Sequence, residues 1–481
     1  MALHRKNLPP LDFAYNLTRI TRMTEKQTKE LAQMFGDKFT TLPETLDRFS
    51  RDETSNLEAK PEAVLFAEET DDVARLLKYC TDNKIPVTPR GMGTGVSGGA
   101  LRIEGGVLLT LERMNKILEI DVPNRMVVVQ PGVITGELHK AVEEKGLFYP
   151  PDPASLESCS VGGNVMEGAG GPRAVKYGTT KDYVTGLEFV IPTGEVLRVG
   201  GKLRKNVTGY NLIGMMIASE GTLGVVTEIT LRLLPLPAVR TDLLVPFESF
   251  DQVARTINEI HRTGIIPTVI EFMERRALEI VEAYLDSKLP VPGAGAYLMI
   301  GLDGADKESV ERDYERVGEI CLENGAVDVF VAETSNMKQR LWKTRRSLHD
   351  ALHDLSPQME REDVVVPVAR IEDLLKGVDE IRTRSEVEVV AFGHAGDGNV
   401  HVNLLRGKLD EERWNTERER VLAELFDLVV SLGGTLTGEH GIGVVKKEFM
   451  PLVTSQAERE LYKRLKQAFD PAGILNPGKI I

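Results

Sequence analysis

The sequence predicts an α+β protein in which a glycine-rich, nucleotide-binding domain precedes a second domain built of a sheet and helices. Short runs of β-branched residues alternate with glycine-rich turns between residues 63 and 237. Beyond Pro235-Leu-Pro, longer helical patterns alternate with apolar runs to about residue 440. A chain of 481 residues is long enough for two or three domains that each bury a core.

These patterns divide the chain into four segments. Residues 1–55 are polar and helical, with one clear amphipathic stretch from Thr24 to Phe35. Residues 56–237 form the nucleotide-binding domain and residues 238–440 the sheet-and-helix domain. Residues 441–481 hold a charged helix, Gln456 to Phe469, and then Leu-Asn-Pro-Gly-Lys.

Regular elements are predicted from the period of the apolar residues. A helix from Thr70 to Asn83 lies between two strands, and Asp71 and Asp72 suit its first turn because acidic groups stabilise a helix N-terminus. Further helices are predicted from Asp251 to Thr263 and from Lys307 to Asn324. The predicted strands begin at Ala63, Ile85, Val107, Met126, Leu187 and Val225.

Composition excludes several classes of protein. A net charge of −14 argues against a nucleic-acid-binding role, which needs clustered Lys and Arg. Three widely spaced cysteines, Cys80, Cys159 and Cys321, form neither a disulfide framework nor a CxxC metal site, and they favour a cytoplasmic setting. No secretory signal and no membrane span are expected. Membrane association through a partner and homo- or hetero-oligomer formation stay open.

Three glycine-rich loops predict a phosphate-containing ligand. The first, Pro89-Arg-Gly-Met-Gly-Thr-Gly-Val-Ser-Gly-Gly, follows a strand, and its backbone N–H groups can surround a pyrophosphate. It matches neither a Rossmann nor a Walker loop, and a structural turn is the alternative. The second, at 150–178, and the third, at 218–228, lie in the same domain. Together they predict one extended ligand with several polar parts, a dinucleotide.

These loops, in this order and spacing, resemble the FAD-binding domain of the vanillyl-alcohol oxidase and p-cresol methylhydroxylase superfamily, over about residues 61–235. The resemblance implies a two-part FAD-binding domain with the pyrophosphate at the first loop. The first loop has no histidine for covalent attachment and Cys159 is expected to be buried, so non-covalent FAD is predicted. The implied FAD contacts are Pro89, Arg90, Gly91, Gly93, Thr94, Gly95, Ser97, Gly98, Gly99, Pro151, Asp152, Ser155, Ser160, Gly162, Gly163, Asn164, Gly170, Gly171, Tyr177, Gly178, Glu220, Gly221, Gly224, Val226 and Asn476.

Three of the eight histidines lie in two short glycine-containing segments. His394 is predicted to end a strand, and His401 and Asn403 to share one face of the next strand, because side chains alternate along a strand. With Glu439, the two imidazoles make a donor set suited to Zn²⁺, Mn²⁺ or Fe²⁺ with open positions for a ligand. The alternative is that each histidine merely ends a turn.

Both segments resemble the C-terminal domain shared by D-2-hydroxyglutarate dehydrogenase, D-lactate dehydrogenase and the FAD subunit of glycolate oxidase. That resemblance implies an antiparallel-sheet-and-helix substrate (cap) domain. It makes His394, His401 and Glu439 the metal ligands and His440 the catalytic base. The implied substrate residues are Arg345, His349, Arg361 and Asn403, of which Arg345 and Asn403 orient the carboxylate.

Three basic residues, Arg345, His349 and Arg361, bear on the identity of the substrate. Arg345 and His349 are four residues apart, which predicts that they share one helical face. The hydroxyglutarate enzymes carry Thr at the position of His349 and Lys in the segment of Arg361. A small D-2-hydroxy acid with one carboxylate, D-lactate or glycolate, is therefore favoured over D-2-hydroxyglutarate.

The predicted function is FAD-dependent oxidation of that acid to the 2-oxo acid. Because no iron–sulfur motif occurs in the sequence, electrons are expected to pass to an electron-transferring flavoprotein, an iron–sulfur subunit or a quinone. Direct use of oxygen stays open. The rival functions are a metal-dependent hydrolase without flavin and a non-catalytic flavin subunit. The alkyl-glycerone-phosphate synthase type is disfavoured because its histidine run is absent.

Overall fold

The computed structural model describes residues 22–290 and 293–481. The N-terminal part is a small four-stranded sheet in which parallel strands β2, β4 and β3 lie side by side and β1 adds an antiparallel edge. Its elements are α1 (Glu25–Phe35), β1 (Phe39–Thr40), α2 (Pro43–Arg48), β2 (Ala63–Phe66), α3 (Thr70–Asn83), β3 (Val87–Arg90) and β4 (Val107–Thr110). The helix predicted at 70–83 is present with those bounds.

An antiparallel five-stranded sheet follows, in the order β5-β6-β10-β8-β9. The first glycine loop leaves β3 of the first sheet, and the third glycine loop enters β10 of the second. The elements are β5 (Ile117–Asp121), β6 (Met126–Val129), α4 (Thr135–Glu143), β7 (Leu147–Phe148), α5 (Val161–Glu167), α6 (Ala174–Tyr177), β8 (Val184–Val190), β9 (Val196–Gly200), α7 (Leu212–Met216), β10 (Val225–Arg232) and β11 (Leu234–Pro235).

The second domain is a seven-stranded sheet, antiparallel at each pairing, in the order β15-β12-β14-β13-β17-β18-β16. The predicted helices at 251–263 and 307–324 are present within one or two residues at each end. The elements are β12 (Val239–Phe247), α8 (Phe250–His261), β13 (Val269–Glu274), α9 (Arg275–Leu285), β14 (Ala296–Gly304), α10 (Lys307–Glu323), β15 (Phe330–Val331), α11 (Ser335–Arg346), α12 (Leu348–Leu355), β16 (Met359–Val365), α13 (Ile371–Arg384), β17 (Glu388–His394), β18 (Asn399–Leu405) and α14 (Glu411–Ser431).

Helices cover both faces of this sheet, which is why its strands are buried almost throughout. One core packs α8, α10, α13 and α14 against one face through residues such as Phe247 and Phe272, both fully buried. The other core packs α9, α11 and α12 against the opposite face. Truncating a buried phenylalanine of this kind to alanine costs about 3–5 kcal/mol.

The C-terminal segment, with α15 (Met450–Val453) and α16 (Gln456–Phe469), returns to the first sheet. The backbone N–H of Val87 donates to Ile474 O over 2.8 Å, and Asn476 N–H donates to Val87 O over 2.8 Å. The end of the sequence therefore lies against the strand that carries the first glycine loop.

The prediction that Arg345 and His349 share one helix is wrong. Helix α11 ends at Arg346 and α12 begins at Leu348, with Ser347 between them. Both side chains nevertheless face the same cavity. In the described part of the chain no helix is both long and apolar enough to span a bilayer.

Candidate active site

A cavity of about 490 Å³ lies where the three glycine loops meet strands β16, β17 and β18 of the second domain. Its size is that of a small-molecule site. Glycines and small side chains form one wall, and the histidines, Glu439 and basic residues form the other. Both predicted sites therefore belong to one cavity.

Sixteen of the predicted cofactor residues line the cavity, and nine lie outside its lining. The residues in the lining are Pro89, Arg90, Gly91, Gly93, Thr94, Gly95, Gly99, Ser155, Ser160, Gly162, Gly163, Asn164, Glu220, Gly221, Gly224 and Val226. The residues outside it are Ser97, Gly98, Pro151, Asp152, Gly170, Gly171, Tyr177, Gly178 and Asn476. Several of the latter support the wall: Asp152 pairs with Arg173, and Tyr177 donates to Asp303 of the second domain.

Two of these positions show different reasons for having a glycine. At one the protein leaves no room for a side chain, and at the other the backbone faces open space in the cavity. A Cβ on Gly162 would lie 2.4 Å from Cβ of Pro131, so a side chain there is excluded by the fold itself. A Cβ on Gly95 would meet nothing within 4 Å. Gly95 therefore leaves room for a ligand that approaches the backbone, as a pyrophosphate at this loop requires.

A buried carboxylate, Glu220, joins the third glycine loop to the C-terminal segment. Glu220 accepts from the N–H groups of Ile442 and Gly443, each over 2.7 Å. The Asn476 amide donates to Gly99 O over 3.0 Å and to Glu220 O over 2.7 Å. Glu167 also lines the cavity, and burial together with the nearby Glu220 raises its pKa well above the usual range. Sequence reasoning missed Glu167.

The predicted metal ligands come together. His394 Nε2 lies 3.2 Å from Glu439 Oε1 and 3.3 Å from His401 Nε2, and His401 Nε2 lies 3.6 Å from Glu439 Oε1. The three donor atoms lie within 4.8 Å of one another. Two strands and one loop supply them: His394 ends β17, His401 lies in β18, and Glu439 follows β18 and α14 in the chain. The donor set fits Zn²⁺ or a similar divalent ion.

Glu271, on β13, is a fully buried carboxylate that sequence reasoning missed. Its Oε1 lies 2.5 Å from His394 Nδ1, and its Oε2 accepts from Arg345 Nε over 2.5 Å. Arg345 Nη2 is buried and has no hydrogen-bond partner within residues 22–290 and 293–481. The cavity therefore contains a fixed guanidinium whose Nη2 is free to donate a hydrogen bond to a ligand.

Asp363, on β16, holds the loop that carries Glu439 and His440. Its Oδ2 accepts from the N–H groups of Gly438, Glu439 and His440 over 2.8–3.0 Å, and from the hydroxyl of Thr437. Its Oδ1 accepts from buried Lys446 over 2.5 Å. Although burial opposes the charge, His440 and Lys446 hold the pKa of Asp363 far below its ordinary value.

His440 stacks on His401, with ring centroids 5.4 Å apart and planes 13° apart. Its Nδ1 lies 3.4 Å from Asp363 Oδ1. Burial lowers the pKa of His440, which favours the neutral ring that can accept a proton. The ring lines the cavity beside the His394/His401/Glu439 group.

Arg361 and His349 close another side of the cavity. Arg361 Nη1 contacts the His349 ring, and Nη2 donates to Glu53 O over 2.7 Å and to Ser55 Oγ over 3.1 Å. Burial and the adjacent Arg361 lower the pKa of His349 to about 3, so this imidazole is neutral. Asn403 also lines the cavity and donates to Val390 O over 3.2 Å.

Comparison with known proteins identifies the family to which the chain belongs. Residues 61–200 match the family model described as FAD binding domain, and residues 236–480 match the model described as FAD linked oxidases, C-terminal domain. The chain belongs to this family of FAD-linked oxidases. It is an FAD-dependent oxidoreductase with the vanillyl-alcohol oxidase type of fold. The predicted FAD-binding and C-terminal domain types are thereby confirmed.

Two curated relatives match nearly the whole chain. The glycolate oxidase subunit GlcD of Bacillus subtilis is 42% identical over 90% of this chain and 91% of its own. A D-lactate dehydrogenase of Anaerostipes hadrus is 37% identical over 97% of this chain and 98% of its own. The curated relatives also include a D-2-hydroxyglutarate dehydrogenase. Among solved structures, p-cresol methylhydroxylase superposes with a TM-score of 0.76, covers 95% of this chain and 96% of its own, and is 19% identical, which shows the shared fold.

The cavity lining bears on the prediction of FAD without a covalent link. Cys159 is buried, its Sγ lies 3.3 Å from Thr135 Oγ1, and it does not line the cavity. The described histidines that do line it are His349, His394, His401 and His440, all on the side of the second domain. Dissociable FAD thus stays the prediction.

Proposed function

We propose that this protein oxidises a small D-2-hydroxy acid with one carboxylate, D-lactate or glycolate, to the 2-oxo acid. The observation that carries the proposal is the unpartnered Nη2 of Arg345, which lines the same cavity as the His394/His401/Glu439 group and His440. A guanidinium binds a carboxylate through charge-assisted hydrogen bonds. The His394, His401 and Glu439 side chains could hold a divalent ion next to the substrate hydroxyl. That hydroxyl is on the carbon that carries the substrate carboxylate.

The second cation in the cavity favours a monocarboxylate. Arg361 lines the cavity, yet its Nη atoms already contact His349, Glu53 O and Ser55 Oγ. Since His349 is neutral, it adds no charge for a second carboxylate. A dicarboxylate would have to displace these contacts. D-2-hydroxyglutarate is the second candidate because Arg361 still provides a cation within the cavity.

The chemistry divides between bound groups and the chain's own residues. The glycine loops would hold FAD, which would supply the hydride acceptor for the oxidation of the substrate carbon. A divalent ion held by His394, His401 and Glu439 would lower the pKa of the substrate hydroxyl. Zn²⁺, Mn²⁺ and Fe²⁺ all suit these donors.

The remaining steps belong to protein side chains. Arg345 binds the substrate carboxylate, and Asn403 limits its rotation, so that one face of the carbon is presented to the glycine-lined wall. His440 accepts the hydroxyl proton, since burial keeps its ring neutral. Two electrons then leave for a protein or quinone acceptor. An electron-transferring flavoprotein, an iron–sulfur subunit or a quinone fits, because the chain itself has only three isolated, buried cysteines.

The test is anaerobic bleaching of the flavin absorbance with a panel of D- and L-2-hydroxy acids. D-lactate or glycolate should bleach the flavin faster than D-2-hydroxyglutarate. Arg345→Met should lower kcat/KM by about tenfold to 100-fold, since a charged hydrogen bond contributes about 1.5–3 kcal/mol. Arg370→Met is the matched control because Arg370 is exposed and pairs only with Asp373 on α13.

Three results would contradict the proposal. Bleaching by L-acids alone would overturn the substrate assignment. Unchanged flavin reduction in the His440→Ala variant would favour a non-catalytic flavin subunit. Colourless protein that hydrolyses esters or amides in the presence of a divalent ion would favour a metal-dependent hydrolase.

A further inference from the structure

Glu271 is the one carboxylate that connects the two halves of the site. It is fully buried, and strand register places it directly opposite His394, with which it pairs between β13 and β17. One oxygen lies 2.5 Å from His394 Nδ1 and the other 2.5 Å from Arg345 Nε. Neither contact faces solvent, so both are fixed by the sheet and by α11.

We propose that Glu271 is a positioning residue that orients the His394 imidazole towards a bound divalent ion and, at the same time, the Arg345 guanidinium towards the substrate carboxylate. The inference rests on the proposed function. It predicts that one buried side chain couples metal binding to substrate binding, although it contacts neither ligand.

The effect on His394 follows from the chemistry of the two side chains. An ionised carboxylate only accepts hydrogen bonds, so His394 Nδ1 must carry the proton that lies between them. The Nε2 atom then keeps its lone pair on the side of His401 and Glu439, 3.3 and 3.2 Å away. A carboxylate behind a ligating imidazole selects the binding tautomer and fixes the ring plane.

The effect on Arg345 is geometric. Glu271 binds the guanidinium through Nε only, and the ring of Phe392 lies 4.9 Å from its central carbon. These two contacts fix the plane of the guanidinium and leave Nη2 unpartnered within the described ranges. Without Glu271 the guanidinium could rotate, and a buried positive charge would have no counter-charge.

Glu271→Gln separates positioning from mere stability. A glutamine has one carbonyl oxygen, and the charged Arg345 Nε–H is the stronger partner for it, so the NH₂ group, which only donates, faces His394 Nδ1. That contact requires the tautomer with the proton on Nε2, and the Nε2 atom then cannot bind a metal. Glu274→Gln is the matched control. Glu274 lies three residues further along β13, is buried, and accepts from Ala391 N–H and Arg382 in place of the two contacts that Glu271 makes with His394 and Arg345.

The experiment is calorimetric titration of Zn²⁺ into FAD-loaded, chelator-treated protein. Glu271→Gln should weaken Zn²⁺ binding by about tenfold to 100-fold, and Glu274→Gln should leave it within about threefold. The KM for D-lactate should rise in Glu271→Gln even at saturating Zn²⁺, because a neutral amide oxygen holds Arg345 more weakly than a carboxylate does. If Glu271→Gln fails to fold, Glu271→Leu with Arg345→Met removes both charges and leaves no acceptor behind His394 Nδ1. This double variant should still show weakened Zn²⁺ binding.

Two outcomes separate the inference from the function on which it rests. Tight Zn²⁺ binding by wild type and Glu271→Gln alike, with unchanged KM, would overturn the role of Glu271 and leave the proposed function intact. Wild-type protein that binds neither Zn²⁺ nor Mn²⁺ would remove the metal site, and the positioning role with it.

Discussion

Asp363→Asn should destabilise the protein and release the loop that carries Glu439 and His440, the proposed metal ligand and the proposed base. Asp363 is fully buried, and its oxygens accept from four groups in the 437–440 loop and from Lys446. An asparagine can present one oxygen to the loop. Its NH₂ group must then face the Lys446 ammonium, which donates and cannot accept.

The expected loss of folding free energy follows from the Lys446 charge, which the substitution leaves without Asp363. Lys446 is 2% exposed in its side chain, and after the substitution only Glu362, 3.0 Å away, would neutralise it. Breaking a buried ion pair by removing one partner costs about 3–5 kcal/mol. Asp363→Asn with Lys446→Met removes both partners, and we expect this double variant to recover part of that loss.

Urea unfolding of wild type, both single variants and the double variant at pH 7 gives the coupling energy. Thermal midpoints should fall by an amount on the order of 10 °C for Asp363→Asn. Asp373→Asn is a matched control on α13, since Asp373 is half exposed and pairs with Arg370 at the surface. A loss below about 1 kcal/mol for Asp363→Asn, or additive losses in the double variant, would refute the reasoning.

Three further predictions test the cofactor site and one buried histidine. Gly95→Ala should weaken FAD binding by about tenfold or more without lowering apoprotein stability, because its Cβ meets no protein atom within 4 Å but overlaps a bound pyrophosphate. Gly264→Ala, also with nothing within 4 Å, is the control, and equal FAD affinity in both would contradict the assignment. Burial and the nearby Arg173 lower the pKa of His139 to about 4, so this residue should account for about 2 kcal/mol of the stability that wild type loses between pH 7.5 and pH 5, as the unfolded chain gains a proton near pH 6.5. In urea titrations His139→Gln should remove about that share of the loss, while buried His349 keeps its own contribution, and an unchanged pH dependence in the variant would exclude His139 as a source. Denatured protein should release all its flavin, whereas a fluorescent polypeptide band on a denaturing gel would indicate a covalent link, which Cys159→Ser would then test.

Most of the fold was predicted from local sequence patterns, such as the residues that begin and end helices. Helix 70–83 could be bounded because acidic residues begin it and Ile85-Pro ends it, and helix 456–469 because Ser455 precedes it and Asp470-Pro follows it. The break at Ser347 gave no such signal, since no glycine or proline marks it. Periodicity therefore joined two helices that the structure separates.

The site was predicted where its residues are close in sequence or lie in a recognisable motif. His394, His401 and Glu439 stand among glycines in short segments, and that pattern drew attention to them. Glu271 lies in an ordinary strand 123 residues before His394, and Asp363 lies 76 residues before Glu439. Such supporting carboxylates become visible only when strand register brings them to their partners, so a single sequence does not reveal them.

The contact between Asn476 and the first glycine loop bears on when FAD can bind during synthesis of the chain. Gly99 leaves the ribosome with its partner still 377 residues away in the sequence, so the first glycine loop lacks this supporting contact until Asn476 has been synthesised. FAD should therefore be acquired late, once the second domain has formed and the C-terminal residues have added to the first sheet.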